Sequence, residues 1–142
     1  MSDKILIVDD EPNVLSALRR QLRKTCQAEV DTTTHPEHVL DLIAQHGPYA
    51  VVVSDMRMPY KDGLRLLQEI KKAAPDTMRI MLTGEVNIQV AADAVNVANV
   101  FRFLSKPCSI EKLIEAISDG IDAHRQIIIE REPLSSSGAS NQ

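Results

Sequence analysis

With 142 residues, the chain has room for one domain with a proper hydrophobic core and none for a second catalytic domain. Its 44% hydrophobic and 25% charged residues are ordinary globular composition, and a net charge of -4 offers no basic footprint, so direct nucleic-acid binding is not expected. Aromatics at 3% without a Trp weigh against a stacking platform, the apolar runs fall well short of the roughly 20 residues that span a bilayer, and Met1-Ser2-Asp3-Lys4 lacks a signal-peptide profile, so a cytoplasmic protein that does not enter the membrane is expected.

In chain order, Ile5-Leu6-Ile7-Val8 reads as a strand over 4–8 that runs straight into Asp9-Asp10-Glu11. Pro12 suits the first position of a helix, which would keep Val14, Leu15, Leu18 and Leu22 on one face and Arg19, Arg20 and Arg23 outward. A second strand over 28–32 precedes a helix with Val39, Leu40 and Ile43 inward. The third strand, 49–54, carries Val51-Val52-Val53-Ser54 into Asp55, and its helix turns Leu64, Leu67 and Ile70 inward. A fourth strand, 78–82, ends in Thr83-Gly84 and leads to a helix with Ile88, Ala91, Ala92 and Val95. The fifth, 100–104, ends in Ser105-Lys106-Pro107, before a last helix with Leu113, Ile114, Ile117 and Ile121. Pro36, Pro48, Pro59, Pro75 and Pro107 fall near element boundaries, where proline is tolerated.

Short β-branched runs alternating with amphipathic helices predict an α/β fold: a parallel five-stranded sheet in a three-layer sandwich. After the last helix, Ile127-Ile128-Ile129 and Glu130-Arg131-Glu132 extend it or couple it to a partner, and Pro133 stops it ahead of a Ser-rich, flexible tail over 134–142. Cys26 and Cys108 form no CxxC pair and read as reduced thiols without a catalytic role, while His35, His38, His46 and His124 read as surface residues.

Open parallel sheets bind ligands at the carboxyl ends of their strands, and here those ends carry three carboxylates, a hydroxyl and an ammonium. Converging carboxylates repel unless a cation lies between them, and a hard all-oxygen donor set suits Mg²⁺. The set fits phosphoryl transfer, with Asp55 as nucleophile, a metal held by Asp9 and Asp10, Lys106 neutralising one phosphoryl oxygen and Thr83 donating to another. Each piece also has a plainer explanation, because Asp9-Asp10-Glu11 can cap the first helix and Lys106 can be a solvated charge. The coincidence of all of them at strand ends favours the site.

These motifs, Ile5 to Glu11 with the double Asp, Ser54-Asp55-Met56-Arg57-Met58-Pro59 with Asp62-Gly63, Thr83-Gly84, and Phe103-Leu104-Ser105-Lys106-Pro107, resemble the receiver domain of bacterial two-component response regulators over residues 4–125. The resemblance implies a flavodoxin-like strand order 2-1-3-4-5. It implies that Asp55 accepts a phosphoryl group from a sensor histidine kinase or phosphotransfer protein. Asp10 and Asp55 would bind Mg²⁺ directly, Asp9 mainly through a water, and the carbonyl of Arg57 would add a ligand. Thr83 would move toward the phosphate with Phe103 turning in behind it, and the Lys106-Pro107 bond would be cis. Gly84 would leave room for the phosphoryl group, and Arg57 and Glu85 would sit at the mouth of the site as a surface ion pair.

Phosphorylation would then switch the surface of the fourth helix, fifth strand and fifth helix, through which a homodimer would form, without turnover of a metabolite. The expected division is a receiver over 1–125 and a helical extension with flexible tail over 126–142, a linker to an output domain or partner. Residues 101–104 with Lys106-Pro107-Cys108, and His124-Arg125 leading into Glu130-Arg131-Glu132, look like receivers fused to HD-type phosphohydrolase outputs. Three other readings fare worse. A haloacid-dehalogenase-type phosphohydrolase wants an Asp where Arg57 stands, a flavodoxin would not place Asp9-Asp10-Glu11 beside a phosphate, and a degenerate docking module has no need of a complete site.

Overall fold

The computed structural model describes residues 3–25, 28–56, 62–84, 88–106 and 108–131. Five parallel strands, β1 (Lys4–Val8), β2 (Glu29–Thr33), β3 (Val51–Asp55), β4 (Met78–Thr83) and β5 (Arg102–Ser105), form one sheet in the order β2-β1-β3-β4-β5. The helices are α1 (Pro12–Thr25), α2 (Val39–His46), α3 (Gly63–Ala73), α4 (Ile88–Asn96) and α5 (Ile110–Arg131), with a short 3₁₀ turn over Pro36–His38 before α2. This is the flavodoxin-like arrangement.

Both faces of the sheet are covered, which is why its central strands are continuous apolar runs rather than alternating ones. Alternate residues feed two cores. Ile5, Ile7, Val51, Val53, Ile80 and Leu82 pack with Leu15 and Leu22 of α1 and Leu113, Ile117 and Ile121 of α5. Leu6, Val8, Val52 and Met81 pack with Val39 of α2, Leu66, Leu67 and Ile70 of α3 and Ala94 of α4.

Several local expectations shift. Tyr49 and Ala50 precede β3 rather than joining it: the buried Tyr49 hydroxyl donates to Asp31, its carbonyl accepts from Thr77 Oγ1, and Ala50 N–H bonds Lys4 O. Val100 stands outside β5 because its N–H turns back to Ala94 O of α4, and Phe101, whose N–H meets Arg79 O of β4, leads into the strand at Arg102. In α2 the inward side chains beside Val39 are Leu42 and Ile43, while Leu40 is exposed. In α4 Ala94 is buried and Val95 is 56% exposed, because Gln89, Asp93 and Asn96 mark only a narrow polar face and leave an apolar arc wide enough to hold both. Arg19 is half-buried, with no hydrogen-bond partner for its Nε among the described residues. His124 is buried and bonds Asp76 O through Nδ1 at 2.7 Å, which corrects its reading as a surface residue.

α5 runs unbroken through the isoleucine triplet to Arg131; Ile127 packs on the core while Ile129 is 65% exposed. Cys108 is a free thiol.

Candidate functional site

Three pairings align one end of the sheet: Val8 opposite Ser54, Asp55 opposite Leu82, and Thr83 opposite Ser105. Asp9, Asp55, Thr83 and Lys106 therefore share one edge, centred where β1 meets β3 and the chain connections diverge to either side. The register that buries the apolar runs is what delivers the polar groups.

Asp55 closes β3, with its neighbour Ser54 buried and donating through Oγ to Asp55 O at 2.9 Å. Gly63 N–H donates to Met56 O at 2.7 Å, and Asp62 caps α3 by accepting from Arg65 N–H at 2.8 Å. A Cβ on Gly63 would lie 2.1 Å from Asp55 O, so only glycine lets α3 start this close to the strand end.

Carboxylate oxygens of Asp9, Asp10 and Asp55 lie within 4.8 Å of one another. Asp9 is 3% exposed and accepts from Glu11 N–H through Oδ1 at 2.9 Å. That bond is the local turn anticipated as the plainer explanation, and it leaves Oδ2 aimed at the site, so the two explanations coexist. Lys106 Nζ donates to Asp55 Oδ2 at 2.9 Å and lies 3.7 Å from Asp9 Oδ2. Burial pushes the Asp9 carboxyl above its usual range; the Glu11 N–H and Lys106 pull the other way, and Asp55 and Asp10 add to the rise. Burial pulls Lys106 down, but the carboxylates of Asp55 and Asp9 outweigh it and raise its pKa. The ammonium thus answers part of an excess of negative charge, and three carboxylates sharing one spot fit a hard divalent cation.

Thr83 is buried at the end of β4, and Lys106 N–H donates to its carbonyl at 2.8 Å, which ties the β5 end to the β4 end. Phe103, opposite Met81, packs half-buried into the same core as Met81 and Val8. A Cβ on Gly84 would come no closer than 4.0 Å to Lys106 Cβ, so this glycine opens the mouth of the site and is not demanded by the backbone. Asp9, Asp10, Asp55 and Lys106 are thus brought together, with Thr83 on the neighbouring strand end. Arg57, Glu85 and Pro107, and with Pro107 the expected cis bond, lie outside the described residues; the cis peptide found among them is Gly47–Pro48. Two residues escaped the sequence reading. Gly63 was visible only as part of a motif, and Arg79, buried in β4, is signalled by a charge inside an apolar strand.

The Response regulator receiver domain family matches residues 5–118. The hydrogenase transcriptional regulatory protein HoxA of Cupriavidus necator is 30% identical over 126 residues, covering 87% of this chain and 26% of that protein. The signal receiver domain of an HD domain-containing protein from Pseudomonas fluorescens Pf-5 superposes with a TM-score of 0.82 at 28% identity, covering 89% of this chain and 99% of that one. The beryllofluoride-activated NtrC4 receiver domain dimer gives 0.76 at 29% identity, covering 85% and 98%. The chain belongs to the response regulator receiver family, and its process is two-component signal transduction. It spans about a quarter of the length of the curated relatives it matches.

Proposed function

We propose that Asp55 is the phosphoacceptor and that its modification switches the face made by α4, β5 and α5. The observation that carries this reading is the Asp55 carboxylate at the mid-sheet strand end, 2.9 Å from Lys106 Nζ and grouped with Asp9 and Asp10. One carboxylate oxygen attacks phosphorus, the P–N bond to the donor histidine breaks, and its electron pair stays on the imidazole nitrogen; the product is an acyl phosphate. The donor is a sensor histidine kinase or a phosphotransfer protein.

Asp9, Asp10, Asp55 and the Arg57 carbonyl would hold Mg²⁺. The ion would supply positive charge beside the phosphoryl oxygens. Lys106 neutralises a phosphoryl oxygen once its ion pair with Asp55 opens, and Thr83 donates its hydroxyl to another. Phe103, which has no phenolic hydroxyl, reports by packing alone. Catalysis here amounts to the domain promoting its own modification and hydrolysis, with no metabolite turned over.

A homodimer through α4, β5 and α5 is supported by exposed apolar side chains on and just after α4, Val95 at 56% and Val97 at 38%, and by the activated NtrC4 receiver being a dimer. We assign 1–125 to the receiver and 126–142 to an extension toward an output domain, supported by the greater length of the relatives. A following HD-type phosphohydrolase accords with the Pseudomonas receiver. A cytoplasmic location accords with the family; no helix among the described residues is long and apolar enough to cross a membrane.

Intact-protein mass spectrometry after incubation with acetyl phosphate tests the reading. Wild type should gain a single Mg²⁺-dependent phosphoryl adduct that Asp55→Asn abolishes without unfolding. Labelling of the variant at the normal rate would move the acceptor elsewhere.

A further inference from the structure

At the far end of β4 from Thr83 stands a buried cation that the site does not use. Arg79 is 4% exposed, and among the described residues its guanidinium donates only to main-chain carbonyls: Nε to Ala98 O at 3.1 Å, Nη2 to Asn99 O at 3.3 Å, and Nη1 to Thr77 O at 2.9 Å and Pro75 O at 3.4 Å. A buried guanidinium is tolerated when its donors are satisfied, and its planar fork reaches two chain segments at once. Here one segment is the turn entering β4 and the other is the exit of α4. The exit is further fixed by Val97 N–H to Asp93 O, Val100 N–H to Ala94 O and Phe101 N–H to Arg79 O, with Asn99 in the left-handed region at φ 49°. A positive charge also complements the carboxyl end of a helix.

The other end of α4 stands elsewhere in the chain's path: its first residue, Ile88, comes five residues after Thr83. Ala94 and Ala98, both fully buried near the exit, join the core that holds Val52, Leu66 and Met81, so packing adds to the clamp at this end. One end is clamped, and the other follows the Thr83 strand end within a few residues of chain.

We propose that Arg79 is the fixed pivot of α4, so that the helix responds to the site by swinging its amino end about an exit that stays in place. The swing rests on the reading of Asp55 and Thr83 as the switch; the clamp does not. Arg79 touches no reacting group and acts by positioning.

Hydrogen exchange on the full chain, with and without Mg²⁺ and beryllofluoride, separates the two ends. In wild type, beryllofluoride should alter exchange over 88–92 and leave 97–101 unchanged. Arg79→Met should raise exchange over 97–101 by about tenfold or more before any addition and spread the beryllofluoride response along the whole helix. Arg79→Lys, which keeps the charge but loses the fork, should fall between, and it serves if the Met variant fails to fold. The pivot is overturned if wild type responds equally at both ends, or if 97–101 exchanges at the wild-type rate in both variants. A wild type that shows no response, or a response that survives Asp55→Asn, would sink the switch reading and not the clamp, which the resting exchange of the Arg79 variants judges by itself.

Discussion

Asp9 carries the conflict that defines the site. Its folded pKa lies above the usual 3.8, so the folded chain holds that proton more tightly than the unfolded chain does. The stability gained from the proton is present in full below 3.8 and lost as pH rises through the folded pKa. At neutral pH the ionised Asp9 therefore opposes folding, and Asp9→Asn should raise the melting temperature of metal-free protein while reducing the further rise that Mg²⁺ gives wild type. A lower metal-free melting temperature would mean that the Lys106 contact outweighs burial. Lys106 has the same sign in a higher window: its raised pKa means a contribution fully present below 10.5, neutral pH included, and lost as pH rises through the folded value. Lys106→Ala should lower metal-free stability at neutral pH, still bind Mg²⁺ by calorimetry, and fail to couple phosphorylation to dimerisation. Normal coupling in light scattering would remove the lysine from the switch.

Among the elements, α3 shows how backbone geometry serves the site. Its first residue approaches the end of β3 so closely that a single methyl group at Gly63 would meet the Asp55 carbonyl. Gly63→Ala should cost about 1–3 kcal/mol by overpacking, and should slow phosphorylation from acetyl phosphate, because relief requires moving the strand end that carries Asp55. A variant that labels at the wild-type rate would show that the strain is absorbed by α3 alone. The strands and their polar ends were legible in the sequence because they are short apolar runs punctuated by acids, a Thr and a Lys. What was not legible depended on which backbone groups pair across the fold. Val100 looks like a strand residue but spends its N–H on the α4 exit at Ala94 O. Helix four has a narrow polar face of Gln89, Asp93 and Asn96, and its wide apolar arc offered no way to tell Val95 from Ala94. His124 gave no sign of burial, since its partner is a main-chain carbonyl 48 residues away.

In the molecule as a whole, the two edges of the sheet do different work. The edge at Asp9, Asp55, Thr83 and Lys106 stores unbalanced charge, whereas the opposite edge is closed by the second half of α5. There His124 donates through Nδ1 to Asp76 O, Arg131 pairs with Asp76 Oδ2 at 2.6 Å, and Arg125 pairs with Asp3. Both arginine side chains stand largely in solvent, where ion pairs contribute little, so the buried imidazole and the packing of Ile121 and Ile127 hold this end of the helix. His124→Ala leaves a buried carbonyl without its donor and should cost about 1–3 kcal/mol in denaturant unfolding, whereas Arg131→Ala should change stability by less than about 0.5 kcal/mol. Neither substitution lies near Asp55, so the rate of adduct formation with acetyl phosphate should stay at the wild-type value in both. If His124→Ala slows labelling while remaining folded, the closed edge takes part in setting the site, and α5 couples the two ends of the sheet instead of merely sealing one of them.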